Sequence, residues 1–137
     1  MVITLGAYLD EVLYTRPVPL TGFSTDPQLS GSTRSRAVAL PRADRYRRRI
    51  GRRRAAHAGV PHVSLWASLP HYLSVSPNPR GTLALLLRLS QWLGLRVDTG
   101  PLERAAADFQ AKINEAVNAD PKLSAFVREL KKREFEQ

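Results

Sequence analysis

The feature that most limits what this chain can fold into is a run of arginines. Between Arg34 and Arg54 stand ten arginines and one acid, Asp44, a local charge of +9. The remaining residues carry eleven Lys+Arg and eleven Asp+Glu, so the net charge of +9 on all 137 residues comes from this one segment. Guanidinium groups at that density cannot enter a packed interior, because taking even one unpaired charge out of water costs several kcal/mol. Segment 34–57 is therefore expected outside any core, as an exposed helix or a disordered stretch.

The segment divides the chain into pieces of different character. Residues 1–33 read as a partial α/β piece. Val2–Gly6 (VITLG) is a short apolar strand ending at glycine, Ala7–Leu13 a weakly helical piece, Arg16–Pro19 (RPVP) an extended or turned stretch, and Thr21–Gly31 a loop. Residues 58–77 read as a second strand, His62–Ser68, rich in β-branched and aromatic residues, followed by a proline-broken loop. Residues 78–137 read as three helices. Asn78-Pro79 and Asp120-Pro121 each place an N-cap before a proline at the first helical position, and Gly94 is a C′ stop. The apolar faces are expected at Leu83, Leu86, Leu87 and Leu93; at Leu102, Ala106, Phe109, Ile113 and Val117 (or Ala116) of a helix Leu102–Asn118; and at Leu123, Phe126, Val127 and Leu130. Short loops between them predict an antiparallel unit that buries its own stripes.

Chemistry is sparse. The chain has no cysteine, which excludes a disulfide framework, a thiolate metal site and a thiol nucleophile, and fits a reducing cytoplasm. His57, His62 and His71 are five and nine residues apart, match no i, i+4 pair, and have no acid among them. Ser64, Ser68, Ser74 and Ser76 sit in no G-x-S-x-G elbow, and no phosphate-cradling glycine loop is present. Asp98 and Glu103 read as helix-start acids. No apolar run approaches the ~18 residues a membrane span needs. Neither a catalytic set nor a cofactor site is therefore expected, and no membrane partner.

The strings VSLWASLPHYL (Val63–Leu73) and SPNPRGTLALLLRLSQWLGL (Ser76–Leu95) closely resemble the bacterial branch of the proteasome assembly chaperone 2 family, common in actinobacteria. The opening MVITLGAYLDEVLYTRPVPLTG resembles an internal strand and loop of the same family. The resemblance covers residues 1 to about 29 and 58 to 137. It implies part of an α/β/α, phosphorylase-like sandwich with a three-helix C-terminal extension, the first strands and helices of the domain being missing. It further implies a cytoplasmic protein acting through protein–protein contacts, as eukaryotic relatives do in assembling proteasome rings; the partner is unnamed and a homo-oligomer is open. The family motifs single out Arg16, Pro17, Trp66, Pro70, His71 and Tyr72 as structural or interaction positions.

Segment 34–57 departs from the family, which there has a pattern like SRY-x-GPTGIVGVL followed by an alanine-rich helix. In GC-rich coding DNA, CGN arginine codons read one base later become GNC, encoding Val, Ala, Gly or Asp. With third bases chosen freely, Val38–His57 can be back-translated so that the shifted frame reads SRYRGPTGIVGVLADAARH and runs straight into AGVPHVSLWA. Asp44 and Tyr46 must then each yield Thr or Ile, where the family pattern has Thr and Ile. The arginine segment is thus expected to be a frame-shifted apolar strand and helix, in a truncated or pseudogene-like copy. Two other readings are kept beside it. One is a small arginine-rich nucleic-acid-binding protein using Arg45, Arg47, Arg48, Arg49, Arg52, Arg53 and Arg54, with a non-specific Kd of roughly 10⁻⁴–10⁻⁶ M at physiological salt. The other is a fragment of an enzyme on a phosphorylase-like fold.

Overall fold

A computed structural model of the protein describes residues 1–25, 58–73 and 75–136. The elements follow in the order β1 (Val2–Asp10), β2 (Leu20–Ser24), β3 (His62–Pro70), α1 (Pro79–Leu93), α2 (Gly100–Ala119) and α3 (Pro121–Phe135). The arginine segment, its frame-shifted reading, the seven arginines of the nucleic-acid reading and His57 lie outside the described residues.

The three strands form one sheet in the order β1-β3-β2. Strand β3 is central, parallel to β1 from Val2↔His62 to Asp10↔Pro70 and antiparallel to β2 from Leu20↔Ala67 to Ser24↔Val63. Paired residues share a face, so this register sorts the side chains into two sets. On one face lie Leu5, Ala7 and Leu9 of β1, Leu65, Ala67 and Leu69 of β3, and Leu20 of β2. Helix α1 covers the β3–β2 part of that face: Leu20, Leu65 and Ala67 form a buried cluster with Ala84, Leu85 and Trp92. Gly81 permits the close approach, since a Cβ there would stand 2.9 Å from Leu69 Cδ2.

The opposite face is polar and internally bonded. Thr4 Oγ1 lies 3.1 Å from His62 Nε2, Trp66 Nε1 donates to Ser64 Oγ at 2.8 Å, and Ser68 Oγ donates to the Tyr8 hydroxyl at 2.5 Å. His62, Ser64 and Ser68 are buried, and these bonds are what makes burying such groups tolerable.

The caps act as their residue types require. The Asn78 side chain accepts from the Gly81 N–H at 3.1 Å, that of Asp120 accepts from Lys122 and Leu123 at 2.9 and 3.2 Å, and Gly94 ends α1 at φ 62°. Helices α2 and α3 bury Ile113, Val117, Val127 and Leu130 against one another.

Four expectations are corrected. Ala7–Leu13 is not helical: β1 continues to Asp10 and a loop follows, because Leu5, Ala7 and Leu9 alternate in register with β3 and nine paired residues outweigh a weak local preference. The loop expected from Thr21 begins as strand β2, whose LTGFS is held by pairing with β3 and not by its own composition. The inward face of α1 is rotated: Leu87 and Leu93 are exposed, while Gly81, Ala84, Leu85 and Trp92 meet the sheet. Finally, the helical tail does not close its own core. Leu13 and Tyr14, from the loop between β1 and β2, complete the α2–α3 cluster.

Candidate functional site at the carboxyl ends of the parallel strands

In open α/β sheets, ligands collect beyond the carboxyl ends of the strands. Here β1 and β3 end together at Asp10 and Pro70, and five of the six sequence-marked residues, Arg16, Pro17, Pro70, His71 and Tyr72, flank that end. Trp66 lies apart, within β3 on the polar face, its ring filling the space beside Gly6, where a Cβ would fall 2.3 Å from Cζ3.

The chain turns at His71, whose backbone N–H donates to the Asp10 carbonyl at 3.0 Å, with Nδ1 3.2 Å from the same oxygen. Tyr72 then reaches across the β1–β2 loop. Its hydroxyl donates to the Val12 carbonyl at 2.8 Å and accepts the Tyr14 N–H at 3.1 Å. The rings of His71, Tyr72 and Phe126 of α3 meet edge-on, with centroids 5.1–5.7 Å apart. Arg80, in the first turn of α1, donates to the Tyr14 carbonyl and, at 2.7 Å, to the Arg16 carbonyl. The Arg16 side chain itself points to Glu134 at 3.5 Å, and Glu11 pairs with Arg133 at 2.9 Å. Both pairs are half-exposed and contribute little. Pro17 is exposed and ends the turn.

These groups are bonded within the chain. Burial lowers the Arg80 pKa and raises that of Tyr72 above its ordinary 10.0. The Tyr72 hydroxyl both gives and takes a hydrogen bond within the chain, and the Arg80 guanidinium is turned onto two main-chain carbonyls. The enclosed cavity beside them, lined by Leu13, Tyr14, Leu69, Leu73, Arg80 and Phe109, measures about 20 Å³, room for about one water. Two larger hollows are open. A groove of about 610 Å³ runs between α1 and α2 past Leu83, Leu87 and Gln110, and one of about 420 Å³ runs beside β1 past Ala7, Leu9, Leu73, Val75 and Leu85. Among the described residues, no three His, Asp or Glu side chains gather as a metal site would require, and no helix is long and apolar enough to cross a membrane.

Two residues that hold this region together escape sequence reading, and a third, Gly6, fixes β1 against Trp66 elsewhere in the sheet. Arg80 at a helix start looks like a solvated cation, and Tyr14 like one more apolar loop residue. Gly6 carried a signal, since a glycine inside an apolar strand marks a close approach.

Known proteins resemble the chain as follows. A model of the PAC2 family matches residues 1–117. A Mycobacterium tuberculosis protein of unknown function superposes with a TM-score of 0.78 at 27% identity, over 98% of this chain and 45% of its own. A PAC2 family protein from Streptomyces avermitilis gives 0.72 at 34% identity, over 91% of this chain and 52% of its own. A proteasome-assembly-chaperone homologue from Mycobacterium tuberculosis gives 0.69 at 31% identity, over the same shares. No curated protein matches. The chain thus spans about half the length of these solved relatives, and with the family match covering most of its residues it belongs to the PAC2 family.

Proposed function

We propose that this chain is a proteasome-assembly-chaperone-like protein of the cytoplasm that works by protein–protein contact. The observation that carries this reading is the kind of surface found at the site. The polar groups at the strand ends are bonded within the chain, while apolar side chains stand open beside them in one groove: Leu9 is 60% exposed and Val75 49%. A contiguous apolar surface of this sort marks an interaction site. Its resemblance to a structure described as a proteasome-assembly-chaperone homologue supports the class of partner. Arg16, Pro17, Pro70, His71 and Tyr72 shape that surface by fixing the β1–β2 loop, and Trp66 fixes β1 against β3.

In this reading the arginine segment is a misread apolar strand and not a nucleic-acid site. Coding DNA around Arg45–Arg54 that reads GPTGIVGVL in no frame would remove it.

The test of function is ring assembly. Proteasome α-subunits from the source organism, mixed with the chain, are followed by native electrophoresis. A change in the rate or yield of rings that survives ~0.15 M salt supports the proposal. Unchanged assembly, with no complex formed, removes it.

A further inference from the structure

We draw no further inference here: the strongest candidate, the open apolar groove between β1 and the start of α1 that Leu9 and Val75 line, carries nothing because nothing in the structure shows what covers it.

Discussion

The two edges of this small sheet are built differently. Strand β2 is short, five residues, and follows the rigid RPVP stretch. The Pro19 carbonyl accepts the Ser68 N–H at 2.9 Å, and Leu20 and Thr21 are buried. Strand β1 is nine residues long, free of proline, and carries Leu5 and Leu9 into the open. Among the described residues neither outer strand pairs on its far side, and the two differ in length, in the proline beside them and in how far their leucines are covered.

The sharpest way to break this comparison is to shorten a leucine on each edge. Leu20→Ala removes a side chain packed against Leu65, Ala67 and α1 and is expected to cost about 2–5 kcal/mol in a urea titration. Next comes Gly6→Ala. The new Cβ would meet the Trp66 ring at 2.3 Å, and the overpacking should cost about 1–3 kcal/mol, with the loss concentrated in β1 amide protection. Tyr72→Phe leaves the Tyr14 N–H and the Val12 carbonyl without their shared partner and should cost about 1–2 kcal/mol.

That same tyrosine sharpens the comparison with pH. Burial raises the Tyr72 pKa above the ordinary value of 10.0, so the unfolded chain loses its proton first as alkalinity rises. Stability is intact below about 10 and falls above it, and the phenylalanine variant, tested by urea midpoints on both sides of that pH, should lose most of this dependence. His62 behaves in the opposite sense. Burial lowers its pKa below 6.5, so the unfolded chain gains a proton first as pH drops, and stability present above 6.5 declines below it. His62→Gln should flatten that acid limb. The smallest effect belongs to the open edge: Leu9→Ala in the isolated chain should shift stability by no more than about 0.5 kcal/mol. A large loss there would mean that β1 is already covered and that the two edges are alike.

What could be read in advance follows physical range. The helix starts at Asn78-Pro79 and Asp120-Pro121 and the stop at Gly94 are local chemistry, and each is found where the residues put it. Buried Ala106, Ile113, Val117, Val127 and Leu130 obey a helical period visible in one window. Strand β2 was not visible because nothing in LTGFS demands a strand; β3 does. The rotation of α1 was hidden because a leucine-rich helix offers more than one apolar stripe, and the sheet beneath selects the one containing Gly81. The site was half visible. Family motifs marked His71 and Tyr72, but the partners that explain them, the carbonyls of Asp10 and Val12, are main-chain groups 61 and 60 residues away.

The packing of Trp66 against Gly6 has an optical consequence. The chain holds two tryptophans, and with Trp92 replaced, the remaining indole emission would gauge the outermost ladder alone. Peeling β1 from its neighbour would wet that ring and shift its colour to the red, so the molecule carries its own fluorescent indicator of whether β1 is in place.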